Sequence, residues 1–167
     1  MERIKLGHRF QTDVARFKIP SLSSSTAHDY AAALSFMYAF LEGISNALEV
    51  DRNDIDGIIE PNLDLHSYDV LIYDNVRVRP GLRLEIIHRH VDGHDVPGGA
   101  GHVKRLTSKD AVMQSLKAAH NKVSQSCCDE NTSCYNCLRN YYNQAYHSKL
   151  QRGYAKNIIE GLVREIE

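Results

Sequence analysis

The sequence lacks the features that mark exported, membrane-spanning and motor proteins. Its charged N-terminus has no apolar signal-peptide core, and no apolar run approaches the roughly 20 residues that a transmembrane helix needs. A Gly-x-x-x-x-Gly-Lys-Ser/Thr phosphate loop is also missing, so the sequence contains no P-loop motor. These absences predict a cytoplasmic protein that does not act at a membrane.

Positive and negative charges nearly balance over the whole chain, but they are distributed unevenly along it. The formal net charge is −1, which neither favours nor excludes a polyanionic partner. Nine acids and one base lie between Glu42 and Asp74, whereas residues 131–159 contain no acid. The bases of that acid-free stretch are Arg139, Lys149, Arg152 and Lys156. A basic end of this kind indicates a surface that faces a polyanion, although both stretches would also be explained as solvated faces.

Cysteine is scarce, and its positions are clustered. The four cysteines are Cys127, Cys128, Cys134 and Cys137. Such a cluster in a chain without an export signal favours a metal site over disulfides. The pair Cys134-x-x-Cys137 has the spacing of a zinc knuckle, because a turn of that length directs two sulfur atoms at one ion. A Zn²⁺ ion bound by four thiolates has no open coordination position, so this cofactor would have a structural role.

The first half of the cysteine cluster leaves an alternative open. Side chains of adjacent residues diverge in an extended strand, so Cys127 and Cys128 can bind one ion only if the backbone turns between them. Asp129, Asn131 and Ser133 are turn-forming residues in the connecting loop. His120 or His147 would be the substitute if one cysteine were not a ligand.

Apolar periodicity and turn signals predict one α/β domain across residues 1–167, with a mixed β-sheet, packed helices and a C-terminal four-cysteine zinc knuckle at 127–137. Strands are predicted at 12–19, 55–60 and 68–73, and the last is an apolar run typical of a central strand. Pro20 and the serine run 21–25 predict a loop. Helices are predicted from the capping boxes Thr26-x-x-Asp29 and Thr107-x-x-Asp110, at 138–146, and around Tyr154, Ile158 and Leu162.

Several short motifs occur in a fixed order along the chain. They are 6–14 (LGHRFQTDV), 38–43 (YAFLEG), 71–74 (LIYD), 96–101 (VPGGAG), the four cysteines and 150–152 (LQR). This order resembles the MrfA-type zinc-binding domain, which lies at the C-terminal end of a family of DNA helicases. Relatives include DNA-repair helicases and components of anti-phage systems such as DISARM and Druantia. Since no motor is present, we expect an excised domain or a separate subunit.

Two features depart from the pattern that the resemblance implies. The tyrosine–aspartate strand of the family runs almost directly into the Pro-Gly-Gly loop, whereas residues 75–95 stand between them here and predict an inserted hairpin. The first two cysteines of the family are usually separated by one residue, whereas Cys127 and Cys128 are adjacent.

The resemblance implies a non-catalytic zinc-binding accessory domain that helps a helicase partner engage DNA, single-stranded DNA in particular. Phosphate contacts would come from the four bases of the acid-free stretch. Arg or Lys beside aromatic rings suits single-strand binding, because charge holds the backbone and rings stack on bases. Five tyrosines lie in the C-terminal part, and we expect most of them to pack around the zinc loop, residues 127–137: Tyr135, Tyr141, Tyr142, Tyr146 and Tyr154.

Two other functions fit parts of the sequence. A metal-dependent nuclease could use the string His88–His94, in which His88 and His90 share a strand face, and that string is otherwise an exposed hairpin end. A phospholipase-D-like nuclease would use His102-x-Lys104 or His147-x-Lys149, although neither pair has the aspartate that the signature requires. Alternatively, a protein–protein adaptor would dock a basic partner through the acidic stretch from Glu42 to Asp74.

Overall fold

A three-stranded antiparallel sheet forms one layer of the structure, a computed structural model that describes residues 12–24, 26–75 and 101–166. Its strands are β1 (Val14–Ser23), β2 (Ile55–Asn62) and β3 (Ser67–Asp74), in the order β1-β3-β2. The three predicted strands are therefore confirmed. Val70 and Ile72 of β3 are fully buried, as predicted for a central strand. Apart from Asn75, the predicted hairpin at 75–95, with the His88–His94 string, lies outside the described residues.

Strand β1 is longer than the sequence predicts. The predicted loop from Pro20 is wrong as far as Ser23, where the strand ends. Proline is tolerated because β1 is an edge strand of the described sheet, so a missing N–H need not break a ladder. The pairing with β3 is irregular between Lys18 and Ser23, and the buried Leu22 anchors this end of the strand in the core.

A long helix, α1 (Ala27–Leu48), covers the inner face of the sheet. The predicted capping box is confirmed, because the Asp29 N–H donates to the Thr26 hydroxyl at 3.2 Å and the Thr26 N–H donates to the Asp29 carboxylate at 2.9 Å. Residues 33–41 of α1 are buried on every side, a wider surface than the single apolar stripe that the spacing predicts. The reason is that α1 packs against strands and helices at once.

The apolar composition of α1 is explained by its place in the core. Of the described residues, the segment Asp29–Leu48 has the length and hydropathy of a membrane span, with a mean hydropathy of 1.2. Within that window, however, 67% is buried inside the protein. Core helices pass the same test of length and composition, so the segment is explained by packing alone.

Two further helices, α2 (Lys109–Val123) and α3 (Arg152–Ile166), pack against α1 and against each other. In the predicted stripe of α2, Leu116, Ala119 and Val123 are buried. The second predicted capping box is wrong: α2 begins one residue later than Thr107 allows, with Ser108 as N-cap. The Thr107 hydroxyl donates instead to the Lys104 carbonyl at 2.8 Å, within the 3-10 helix Val103–Thr107.

The predicted helix at 138–146 is also wrong, since turns and a short 3-10 helix, Gln144–Tyr146, occupy this stretch. Two asparagine side chains compete with helical hydrogen bonding here. Asn140 Oδ1 accepts from the N–H groups of Tyr142 and Asn143 at 2.9 and 3.0 Å, and Asn143 Oδ1 accepts from the Asn140 N–H at 2.8 Å.

Asp74 joins the end of β3 to the second half of the chain. Its buried carboxylate accepts the Gly101 N–H at 2.9 Å and the Val103 N–H at 3.0 Å. Gly101 has a φ of +73°, a left-handed conformation that favours glycine. The chain at Gly101 therefore lies next to the end of β3, held there by the Asp74 carboxylate.

Candidate metal centre

The four cysteine sulfur atoms converge on one point. All lie within 4.8 Å of one another, and the Sγ–Sγ distances are 3.8 Å for Cys134–Cys137, 3.8 Å for Cys128–Cys137 and 4.0 Å for Cys127–Cys128. Sulfur atoms bound at about 2.3 Å around a tetrahedral Zn²⁺ are about 3.8 Å apart. None of the four forms a disulfide. The arrangement therefore fits a closed four-thiolate zinc site.

The second half of the site is a tight turn that begins at Cys134. The Cys134 carbonyl accepts the N–H groups of Cys137, Leu138 and Arg139 at 3.0 to 3.1 Å. In return, the Cys134 N–H points at the Cys137 sulfur at 3.1 Å. An N–H directed at sulfur favours the thiolate, which is the form that binds metal.

The first half of the site meets the condition that the sequence left open. The backbone bends through residues 125–128, which brings the Cys127 and Cys128 sulfur atoms to the same side. The Asp129 side chain shapes the following turn by accepting the Asn131 N–H at 2.8 Å. The two alternative ligands have other partners: His120 contacts Glu160 at 3.2 Å, and His147 contacts the Asn143 side chain at 2.9 Å.

Burial sets the thiol pKa values of the metal-free cluster in different directions. Burial raises the pKa of Cys137 to about 12 and raises that of Cys127 as well. At Cys134 burial acts in the same direction, but the backbone hydrogen bond from Asn136 and the neighbouring thiols outweigh it and lower the pKa to about 7. Four adjacent thiolates repel one another, so a divalent cation is needed before all four can ionise together.

Arg152 lies next to the metal centre and contacts the backbone of one of its cysteines. Its side chain is buried, and its two terminal nitrogens donate to the carbonyls of Val123 at 2.9 Å and Cys128 at 2.8 Å. The first carbonyl ends α2 and the second belongs to a cysteine of the cluster. A zinc ion with four thiolates carries net negative charge, which a buried guanidinium nearby offsets.

Family comparison agrees with this geometry. Residues 36–138, more than half of the chain, match the family model of the MrfA Zn-binding domain. The chain belongs to this family. The matched range begins in α1 and ends directly after Cys137, so it includes the four cysteines of the MrfA Zn-binding domain. The family and the sulfur geometry together assign Zn²⁺ to the site. No curated protein and no solved structure matches the chain.

The motifs of the expected resemblance reach further than the matched range. Residues 6–14 and 150–152 lie outside 36–138. The last motif nevertheless has a clear structural place: Leu150 is buried, the Gln151 N–H donates to the Ser35 hydroxyl at 2.9 Å, and Arg152 supports the zinc loop. It thus connects α1 and α2 to the metal centre.

The four bases predicted to contact phosphates have different environments. Lys149 is exposed, with its ammonium group 5.5 Å from the centre of the Tyr30 ring. Arg139 is half-buried and donates to Ser133 at 3.0 Å. Lys156 pairs with Glu130 at 3.0 Å, and Arg152 is only 5% exposed. Phosphate contact therefore stays a prediction, and Lys149 is the base with the freest approach from solvent.

The prediction that most tyrosines of this part pack around the zinc loop is wrong. Tyr135, Tyr141 and Tyr142 are 66%, 76% and 65% exposed, whereas Tyr146 and Tyr154 are partly buried. The reason is local: Tyr135 lies in the tip of the Cys134–Cys137 turn, and the other two lie in the asparagine-stabilised turns that replace the predicted helix. In a sequence, an exposed tyrosine in a turn looks the same as a buried one. The sequence therefore carries no signal that predicts the exposure of these three side chains.

The nuclease motifs have structural partners where they are described. His102 Nε2 lies 4.0 Å from Asp54, and Lys104 lies 3.9 Å from Asp13. His147 is held by Asn140 and Asn143. Within residues 12–24, 26–75 and 101–166, the four cysteines form the cluster of three or more candidate metal ligands.

Proposed function

We propose that this MrfA Zn-binding domain is a non-catalytic accessory domain that helps a helicase partner engage DNA in repair or anti-phage defence, in the cytoplasm. The resemblance supplies the helicase context. A closed thiolate site supports an accessory role, because a metal with no open position stabilises structure and does not activate water. The observation that carries the proposal is the acid-free stretch 131–159, which contains the second half of the metal centre, Cys134 and Cys137.

The acid-free stretch supports DNA over a basic protein as the partner. It presents Lys149 to solvent and Arg139 at its edge. Three of the nine acids of the middle stretch are, by contrast, paired or buried within the protein. Glu42 pairs with Lys122 and Arg52, Asp69 is 1% exposed beside Arg16, and Asp74 is buried against backbone N–H groups. The exposed acids of that stretch, Glu49, Asp51, Glu60 and Asp64, are the carboxylates that a basic adaptor partner could still contact.

The test of this proposal is the salt dependence of DNA binding. We expect zinc-loaded protein to bind a fluorescein-labelled oligo(dT) or duplex in fluorescence anisotropy, with affinity that falls as salt increases, because phosphate contacts release counterions. Lys149→Gln should weaken binding by a few-fold and reduce the salt dependence. Lys109→Gln, at an exposed lysine in the first turn of α2, is the matched control and should bind normally.

Two results would overturn the proposal. One is failure of zinc-loaded protein to bind either single-stranded or duplex DNA at low salt. The other is binding whose affinity is unchanged over the salt series, since phosphate contacts would then contribute nothing. Incubation with plasmid and Mg²⁺ or Mn²⁺ separates this role from a nuclease, for which cleavage is expected.

A further inference from the structure

Three exposed tyrosines beside the metal centre are unusual for the part of the chain that the structure describes. The rings of Tyr135, Tyr141 and Tyr142 are among the large apolar side chains that remain about two-thirds or more exposed. Large aromatic rings contribute most when buried, and exposed ones commonly mark binding surfaces. All three belong to the acid-free stretch, so apolar area and positive charge occur together.

The position of Tyr135 is fixed by the zinc turn and by a histidine. Tyr135 follows Cys134 directly, and its ring meets the His147 ring edge-on, with centroids 5.5 Å apart and an interplanar angle of 89°. His147 is itself held by the Asn140 carbonyl at 3.1 Å and the Asn143 side chain at 2.9 Å. Asn143 is fully buried. The exposed Tyr135 ring is therefore held in place by His147, which is itself hydrogen-bonded to Asn140 and Asn143.

Tyr141 and Tyr142 belong to turns that the same two asparagines, Asn140 and Asn143, stabilise. Asn140 accepts the Tyr142 N–H at 2.9 Å and Asn143 donates to the Leu138 carbonyl at 2.8 Å. The Tyr141 and Tyr142 rings meet at 89° with centroids 5.6 Å apart. Contacts run without interruption from Tyr135 through His147 and Asn140 to Tyr142, so the three tyrosines belong to one structural unit, which we term the tyrosine cluster.

The charge of the chain segment that carries the tyrosine cluster suits a phosphate backbone. No acid occurs in residues 131–159, and the adjoining Glu130 is engaged by Lys156 at 3.0 Å and lies 3.9 Å from Arg152. Lys149 and Arg139 supply positive charge on either side of the Asn140–Asn143 turns in sequence. Single-strand binding sites combine these two elements, aromatic faces for bases and a few bases for phosphates.

We propose that the tyrosine cluster binds unstacked bases of a single-stranded nucleic acid by ring stacking. This inference rests on the proposed DNA-binding function and assigns it a site and a ligand. Because duplex bases are stacked on one another, the cluster should prefer single strands. Because Lys149 and Arg139 are the two bases of the acid-free stretch that would meet phosphates, the salt slope should be shallow, about −0.7 for each phosphate contacted.

The experiment measures binding of the zinc-loaded 167-residue chain to oligo(dT), to oligo(U) and to a duplex of equal length. Tyr141→Leu and Tyr142→Leu should each weaken oligo(dT) binding by about five-fold or more, the effect of losing one base–ring stack. Tyr141→Phe keeps the ring and should bind like the natural sequence. Leu63→Ala is the control, because Leu63 is 81% exposed in the turn between β2 and β3. Zinc content verifies that each variant retains the metal centre.

Intrinsic fluorescence gives a second measurement that does not depend on lost affinity. The chain has nine tyrosines and no tryptophan, so stacked bases should quench its tyrosine emission. In a Tyr141→Phe/Tyr142→Phe double variant, affinity should persist while most of the quenching disappears. Quenching that is unchanged in this variant would place the bases elsewhere and overturn the inference.

The outcomes separate the site from the proposed function. Binding to duplex and single strand that is equal, steeply salt-dependent and unaffected by the leucine variants would refute the tyrosine cluster and leave the DNA-binding function standing. No binding to any oligonucleotide would refute both. Preference for oligo(dT) supports a DNA partner. Equal binding to oligo(U) supports the stacking site with RNA as a second source of bases.

Discussion

At the scale of single residues, the pKa values of the cysteines determine how zinc binding responds to pH. In the metal-free cluster burial holds the pKa of Cys137 at about 12 and raises that of Cys127, so both are thiols at neutral pH. Zinc binds thiolates, and its binding must therefore release their protons. Protons compete with the metal more strongly as pH falls, which means that zinc affinity is lost on the acid side.

The expected result is a steep rise of zinc affinity with pH, about 100-fold or more per pH unit above neutral, because the metal displaces a proton from at least Cys127 and Cys137. Below pH 7 the slope should become steeper, because Cys134, with a pKa of about 7, then also binds a proton. Competition titrations with a chromophoric chelator from pH 6 to 8 measure the slope. Cys134→Ser should lose tight binding, whereas Ser126→Ala, beside the cluster, should not. An affinity that does not change with pH would contradict the four-thiolate assignment.

At the scale of elements, the close crossing of α1 and α2 depends on Gly43. A Cβ added there would lie 2.1 Å from the Ser115 carbonyl oxygen and 2.7 Å from the Ala119 Cβ. Gly43→Ala should therefore destabilise the protein on the order of 2 kcal/mol, although alanine gains about 1 kcal/mol in helix propensity. Gly161→Ala in α3 meets no atom within 4 Å and should instead stabilise slightly. Urea unfolding of the zinc-loaded protein compares the two, and similar stabilisation by both would show that the helices can move apart.

The elements also show what the sequence could predict. Hydrophobic periodicity located α1, α2, α3 and the three strands, because each buries a regular face. It failed where local side chains outweigh periodicity. Asn140 and Asn143 bond to the backbone and replace a predicted helix with turns, and an edge position allowed β1 to continue beyond Pro20. At the metal centre, the spacing of the cysteines predicted that they bind a metal. The bend that brings the Cys127 and Cys128 sulfur atoms together could not be predicted, because it depends on the three-dimensional path of residues 125–128.

At the scale of the whole molecule, the zinc loop holds the first residues of α3 by backbone hydrogen bonds. The Arg152 and Gly153 N–H groups donate to the carbonyls of Thr132 and Glu130, each at 2.8 Å. These are N-terminal groups of α3 that have no partner within the helix. The Arg152 guanidinium adds bonds to the end of α2 and to Cys128. Loss of the metal should therefore release α3, whereas the sheet and α1 have a core of their own.

Chelation tests this coupling. After treatment with EDTA, hydrogen exchange measured by mass spectrometry should accelerate in α3 and in the last turn of α2, while β3, with its buried Val70 and Ile72, stays protected. Arg152→Met should reproduce part of the effect in α3 with zinc still bound, because it removes the guanidinium bonds but no ligand. If exchange rose equally throughout the chain, the metal would hold the entire fold. If it rose nowhere, the zinc loop would keep its shape without the ion, and the tyrosine cluster, which begins in that loop at Tyr135, would not depend on zinc.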